Sequence, residues 1–347
     1  MQDTMNQTDT QMRREVLEIP DAVERLLTNG MGEIDAAADM LRKADPLFLA
    51  TVARGSSDHV ATYLKYASEL LLGVPVASIG PSIASIYNAP LKLRGAGCIT
   101  ISQSGQSPDI VAMADAATEQ GALTLALTND PVSPLAAASQ HTVNIHAGAE
   151  VSVAATKTFV NSAVAALVLL ARWKEDPDLT DAIHALPAQL AKASHLDWPN
   201  LRATLNGQSS IFTLGRGPSW AMSNEAALKF KETCQIHAES YSSAEVLHGP
   251  VSIVGSGFPV LGLTANDAAE TALVEVADSI AAKGANVFVT SDKCSTAQRL
   301  EHVRTNHALT DPIALITSFY AMVERLATSR GINPDAPRHL KKVTETR

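Results

Sequence analysis

Apolar runs of strand length alternate with helical patterns along most of the chain. Residues 47–52, 74–79, 98–101 and 123–127 are short, rich in Val, Ile and Leu, and read as strands. Residues 58–72 and 110–120 carry the three-and-four spacing of amphipathic helices between them. Near-continuous apolar strands separated by helices predict a parallel sheet covered by helices on both faces, an α/β architecture.

The second half repeats the first. Ile211-Phe-Thr-Leu214 runs into Gly215-Arg-Gly-Pro-Ser219 and a helix through Lys231, echoing Leu49-Ala-Thr-Val52, Arg54-Gly-Ser-Ser57 and the helix after it. The strand 258–264, the helix 268–283, Gly284 and the strand 286–290 echo residues 99–102, the next helix, Gly121 and residues 123–127. Gly121 and Gly284 fall at matching helix-to-strand turns, where a left-handed residue is wanted. The halves read as diverged copies of one α/β sandwich. Residues 177–200 predict a connecting helix and a polar linker, and the stretch from 331 to the end, with Pro334 and Pro337, reads as irregular.

One loop carries candidate chemistry. In Cys98-Ile-Thr-Ile-Ser-Gln-Ser-Gly-Gln-Ser107 an apolar, β-branched run ends in hydroxyls and a glycine, and Pro108 and Asp109 open a helix. Such a turn aims backbone N–H groups and Oγ atoms at one point beside the positive end of a helix dipole. The loop contains neither Lys nor Arg, which predicts a phosphate held by neutral donors. A helix N-cap uses one hydroxyl, and three stand here at alternating positions. A nucleotide cofactor is not expected: Gly215-x-Gly217 lacks the third glycine of the dinucleotide fingerprint, and no GxxxxGK[ST] loop is present.

Composition narrows the classes further. The 347 residues suffice for two domains, and 46% hydrophobic with 18% charged residues is ordinary globular usage. A net charge of −9 argues against nucleic acid or an anionic membrane as partner. The three cysteines, Cys98, Cys234 and Cys294, show no CxxC pairing and read as buried reduced thiols. Residues 1–14 are polar, lack an apolar signal-peptide core and read as a disordered lead-in. The longest apolar run, 163–171, is too short to span a bilayer. A cytoplasmic protein is expected, and no histidine spacing suggests a metal site.

Seven ordered motifs share one pattern: Arg54-Gly-Ser-Ser57, Ser102-Gln-Ser-Gly-Gln-Ser107, Glu150-Val-Ser-Val-Ala-Ala-Thr-Lys-Thr158, Leu214-Gly-Arg-Gly-Pro218, Glu225-Ala-Ala-Leu-Lys-Phe-Lys-Glu232, Ala244-Glu-Val-Leu-His-Gly-Pro250 and Pro337-Arg-His-Leu-Lys-Lys342. Together, over about residues 30–347, they resemble the SIS (sugar isomerase) family as it occurs in the isomerase half of glucosamine-6-phosphate synthase. The resemblance implies two tandem SIS domains, each a parallel five-stranded sheet in a three-layer sandwich. It divides the chain into an N-terminal lead-in and helix (1–32), a first SIS domain (33–176), a linker helix (177–199), a second SIS domain (200–330) and an active-site tail (331–347). It also implies a hexose 6-phosphate ligand, no cofactor and a homodimer.

The residue roles that follow are those the resemblance implies. Ser102, Gln103, Ser104 and Ser107 bind the phosphate, with Ser56 and Ser57 on a second contacting loop. Glu232 moves a proton between C1 and C2, which suits a single carboxylate because both positions lie on one face of the cis-enediol or enolamine. Lys229, three residues before it, stands near O1 or O2 to stabilise the oxyanion. His248, donated by the neighbouring subunit, opens the sugar ring. Lys342, with Lys341 adjacent, meets the carbonyl of the open-chain sugar, and backbone at Val153 contacts the sugar. Ala155 stands where the synthase carries serine, removing one sugar-hydroxyl contact. The glutaminase domain with its N-terminal cysteine nucleophile is absent from the sequence read here, so ammonia from glutamine is not expected. The resemblance then implies an aminosugar-phosphate deaminase, most concretely glucosamine 6-phosphate to fructose 6-phosphate plus ammonia, with a fructosamine-phosphate deglycase or a plain aldose–ketose isomerase as alternatives. SIS modules also serve as non-catalytic sugar-phosphate regulators, which need only the phosphate loop; the presence of Lys229, Glu232, His248 and Lys342 favours an enzyme.

Overall fold

The computed structural model describes residues 10–342. Helices α1 (Gln11–Leu17), α2 (Ile19–Asn29) and α3 (Met31–Ala44) come first. The first α/β unit follows: β1 (Leu49–Val52), α4 (Ser56–Leu71), β2 (Val76–Ser78), α5 (Ser82–Ser85), β3 (Gly97–Ser102), α6 (Pro108–Glu119), β4 (Leu123–Thr128), α7 (Pro134–Ala138) and β5 (His141–Asn144). Four helices lead across: α8 (Lys157–Lys174), α9 (Pro177–His184), α10 (Leu186–Ala193) and α11 (Pro199–Leu205). The second unit holds β6 (Ser210–Gly215), α12 (Pro218–Cys234), β7 (His237–Ser242), β8 (Pro259–Gly262), α13 (Glu270–Ala281), β9 (Asn286–Val289), β10 (Gln298–Arg299) and α14 (Asp311–Ser329).

Both sheets are five-stranded, every described pairing is parallel, and their orders match: β2-β1-β3-β4-β5 in one and β7-β6-β8-β9-β10 in the other. The internal repeat is therefore a repeat of topology. It reaches the backbone angles: Gly55 before α4 (φ 56°, ψ −134°) and Gly217 before α12 (φ 58°, ψ −137°) share a conformation open essentially to glycine alone. Gly121 and Gly284 have φ of 83° and 93°, as their turns require. Central strands β1 and β3 are buried along their whole length, which accounts for their unbroken apolar character.

The two halves share one interior. A single apolar cluster runs from Met12 through Val60, Leu64 and Leu167 to Phe230 and Phe319, so α4, α8, α12 and α14 form a common helical layer between the sheets. Smaller clusters cover the outer face of each sheet.

Two expectations are corrected. The disordered lead-in over residues 1–14 gives way to helix from residue 11: Thr10 accepts the Arg13 N–H as N-cap and Met12 is fully buried in the shared core. The rest of that segment lies outside the described residues. The single linker helix is two helices, α9 and α10, each with proline in its first turn.

Candidate active site

The order β2-β1-β3-β4-β5 reverses direction between β1 and β3, and such a switch point opens a crevice at the carboxyl ends of the strands. Ser56 and Ser57 open α4 on one side of it, and Ser102 to Ser107 form the other side between β3 and α6. Ser102 is buried, and its Oγ accepts the Gly105 N–H at 3.2 Å. Ser104 Oγ accepts the Gln106 N–H at 3.3 Å, and the Gln103 carbonyl accepts the Asn129 N–H at 3.1 Å. Ser107 is the N-cap of α6, yet its side chain makes no capping bond, so the hydroxyl is not committed to the helix. Gly105 is left-handed (φ 62°), and a Cβ there would lie 2.2 Å from Ser133 Oγ. Only glycine closes this loop. Arg54, from the β1–α4 loop, donates through Nε to the buried Asp109 at 2.6 Å, pinning the start of α6 beside the crevice.

Facing the crevice is α12, which places Glu225, Lys229 and Glu232 along one helical stripe. Lys229 Nζ donates to Ser56 Oγ at 3.1 Å and to Glu232 Oε2, and lies 3.3 Å from Glu225 Oε1. An ammonium has three donors, and these contacts engage them all. Lys229 therefore reaches the crevice through Ser56 and Glu232 rather than through a free donor of its own. Glu225 is fully buried and also accepts from Ser56 Oγ (3.1 Å) and Tyr320 OH (2.9 Å), with His59 Nδ1 at 2.9 Å from its other oxygen. Burial pushes the Glu225 carboxyl up, but the Lys229 ammonium, His59 and Tyr320 outweigh it and hold the group below the usual carboxylate range. Burial likewise lowers Lys229, and Glu225 with Glu232 more than offset that. The pair is ionised and Glu232 stands at its edge, partly open to solvent.

A third wall comes from residues 150–153 and the tail. Lys342 Nζ donates to Glu150 Oε2 at 2.8 Å and to the Ser152 carbonyl at 2.7 Å. This settles which of the two adjacent lysines points inward. Burial raises the Glu150 carboxyl, and Lys342 together with Thr158 and Thr156 brings it below its ordinary value. Tyr320, fully buried, donates its hydroxyl to Glu225, and burial together with the charges of Glu225, Glu150 and Glu232 pushes that hydroxyl well up. The Val153 N–H is taken by the Asp335 carbonyl (3.2 Å), which leaves the Val153 carbonyl for any sugar contact.

Two residues that sequence reasoning missed organise this wall. Buried Glu15 on α1 accepts the N–H groups of Val151 and Ser152. The Asp335 carboxylate accepts the Gln11 and Met12 N–H groups at 2.8 and 2.7 Å and the Ser152 hydroxyl at 3.3 Å, clamping α1, the loop and the tail together.

His248 is not brought to this cluster. It is exposed and follows a 3₁₀ turn, Glu245–Leu247, beyond the carboxyl end of β7. Since Ser242 pairs with Gly215, that is the end at which α12 begins. Glu232 lies fourteen residues along α12 from Pro218, on the order of 20 Å at 1.5 Å per residue. The equivalent crevice of the second unit is filled by its own side chains: Ser219 Oγ accepts the Ala265 N–H, and Asp311 accepts the Asn266 N–H while paired with Arg304. Among the described residues no group of three His, Cys, Asp or Glu side chains is placed to hold a metal ion, and no helix is long and apolar enough to cross a membrane.

Comparison with known proteins agrees with this architecture. The SIS domain family model matches residues 40–172 and 204–329. Glutamine–fructose-6-phosphate aminotransferase (isomerizing) of Symbiobacterium thermophilum is 32% identical over 95% of the chain, which spans 58% of that relative. The chain thus covers a little over half the length of the curated relatives it matches. A Silicibacter pomeroyi DSS-3 protein, provisionally named a phosphosugar isomerase, superimposes with a TM-score of 0.92 at 64% identity over 94% of this chain and all of that one. The C-terminal domain of glucosamine-fructose-6-phosphate aminotransferase from Francisella tularensis shares the fold, with a TM-score of 0.83 at 23% identity over 96% of this chain and 100% of that domain. With two family matches laid over two sheets of the same strand order, the chain belongs to the SIS family and carries two SIS domains in tandem.

Proposed function

We propose that the chain is a phosphosugar isomerase-type enzyme acting on an aminohexose 6-phosphate, and most concretely that it converts glucosamine 6-phosphate to fructose 6-phosphate and ammonia. The observation that carries this reading is the bridge made by Ser56, whose hydroxyl joins the switch-point crevice to Glu225 and to Lys229, the latter about one helical turn from Glu232. A phosphate seated on Ser102, Gln103, Ser104, Ser107 and Ser57 then shares the crevice with the Glu232 carboxylate. His248 of a second copy opens the ring. Glu232 takes the C2 proton of the open-chain aldehyde and returns it to C1, forming a C2 imine and a C1 alcohol. Water adds to the imine and ammonia leaves. Lys229 holds the Glu232 carboxylate in place through their hydrogen bond, while Lys342 and the Val153 carbonyl hold the extended sugar. General-base catalysis of this kind contributes on the order of 10²–10⁴ in rate.

The test is incubation with glucosamine 6-phosphate and with galactosamine 6-phosphate, following ammonia and ketose 6-phosphate by coupled assays. Both products are expected in equal amounts from one of the two, and Glu232→Gln is expected to abolish them. No turnover of either overturns the deaminase reading, and tight sugar-phosphate binding with no conversion of fructosamine or plain hexose 6-phosphates either would mark a non-catalytic sensor.

A further inference from the structure

Among the described residues, the one histidine bonded to the Glu225–Lys229–Glu232 stripe is His59. It follows Ser56 by three residues on α4, so the start of that helix presents two donors on one face. They take the two oxygens of Glu225 separately. Ser56 Oγ donates to Oε1, which Tyr320 OH and Lys229 Nζ also approach, at 2.9 and 3.3 Å. Oε2 has His59 Nδ1, at 2.9 Å, as its hydrogen-bond partner among the described residues. Glu225 is fully buried and held below the usual carboxylate range, so it is ionised and only accepts. The His59 Nδ1 therefore carries the hydrogen, and the ring makes this bond without needing a charge of its own. Its Nε2 has no hydrogen-bond partner among the described residues.

A donor at this place matters because one ammonium serves two carboxylates. Lys229 Nζ donates to Glu232 Oε2 while lying 3.3 Å from Glu225 Oε1. If Oε2 of Glu225 loses its partner, a bare oxygen of a buried anion is left with that ammonium as the nearest cation. Lys229 is then drawn onto Glu225 and away from Glu232. We propose that His59 is a positioning residue for the proton transfer: by closing Oε2 of Glu225 it leaves Lys229 on Glu232, and so fixes where the Glu232 carboxylate stands. The proposal rests on Glu232 being the proton-shuttling base of the phosphosugar site. The action of His59 runs through Glu225 and Lys229, and the Ser102–Ser107 loop lies outside that chain of contacts. Its loss is therefore felt in the proton transfer rather than in the grip on the phosphate.

The test compares substitutions in the full chain, using glucosamine 6-phosphate, or galactosamine 6-phosphate if that is the sugar deaminated. His59→Asn keeps an amide nitrogen where Nδ1 stands, His59→Gln moves it out toward the place of Nε2, and His59→Leu has neither. His59→Leu and His59→Gln are expected to lower kcat about tenfold or more with KM little changed, as a misplaced base is felt in the transition state. His59→Asn is expected to retain most of the activity. With deuterium at C2 of the sugar, the isotope effect on kcat is expected to rise in His59→Leu and His59→Gln, because proton transfer has become the slow step. That ratio is read on the folded enzyme, so lost stability does not move it, and the comparison of His59→Asn with His59→Gln stands even where His59→Leu does not fold. A fall in kcat with an unchanged isotope effect marks a merely structural histidine and overturns the proposal. Equal activity of His59→Asn and His59→Gln overturns it as well, and leaves Glu232 as the base. No turnover of either sugar by the unmodified protein overturns the deaminase reading itself, and this role with it.

Discussion

Lys229 donates from Nζ to Ser56 Oγ at 3.1 Å, and this bond ties the helix carrying the candidate base to the loop that opens the phosphate crevice. The two residues belong to different α/β units, so the site exists only because the units pack through their shared helical layer. The same ammonium neutralises Glu225, which has no access to solvent.

Removing that ammonium leaves a buried charge without its partner. Lys229→Met is expected to destabilise the fold by about 3–5 kcal/mol, and adding Glu225→Gln to recover most of the loss. Urea midpoints across pH check the signs. Glu225 is held below its ordinary value, so its contribution is present above the unfolded carboxylate range and is lost as pH falls through the folded value. Lys229 is held above its ordinary value, so its contribution is present below the unfolded lysine range and is lost as pH rises through the folded value. Both limbs are expected to shrink in the double variant.

The Ser107 hydroxyl separates capping from ligand binding. Loss of a capping hydroxyl costs about 1 kcal/mol, but this one makes no capping bond. Ser107→Ala is therefore expected to change the unfolding midpoint by much less than a cap deletion and to weaken hexose 6-phosphate binding several-fold. A midpoint loss of full cap size with unchanged sugar-phosphate affinity would show that the helix is what the hydroxyl serves. Gly105→Ala is expected to abolish binding, because its Cβ meets Ser133 Oγ.

Asp335 is a positioning residue, its carboxylate spent on the start of α1 and on Ser152. Asp335→Ala removes the acceptor of the Gln11 and Met12 N–H groups at the start of α1 and of the Ser152 hydroxyl. The expected result is about 1–2 kcal/mol of lost stability together with a higher KM for the sugar phosphate. Limited trypsin digestion is expected to cut after Arg338 and Lys341 sooner, and Asp335→Asn, which keeps one acceptor oxygen, to restore part of both.

His248 and Glu232 lie toward opposite ends of α12, so the proposed reaction requires the His248 of a second copy. Glu232→Gln and His248→Ala proteins, each inactive alone, are expected to regain about a quarter of full activity when dissociated and reassociated one to one: half the dimers are mixed, and one site in each is intact. No recovery in mixed dimers confirmed by mass spectrometry would place both residues in one chain's site.

Sequence alone determined the repeated strand–loop–helix order, the glycine turns at Gly121 and Gly284, and the Ser102–Ser107 loop, because each depends on neighbours within a few residues of chain. Edge strands β5, β7 and β10 escaped it: His141-Thr-Val-Asn, His237 to Ser242 and Gln298-Arg are polar and partly exposed, and they are strands only because a neighbour offers its hydrogen bonds. The same holds for function. Glu15, Glu150, Glu225 and Asp335 read along the chain as four ordinary acids. Tertiary structure made one a clamp, one the seat of Lys342, one a buried counter-ion and one a helix cap, by bringing partners from 95 to more than 300 residues away. A carboxylate's role is set by what surrounds its oxygens, and that is decided by long-range packing rather than by spacing along the chain.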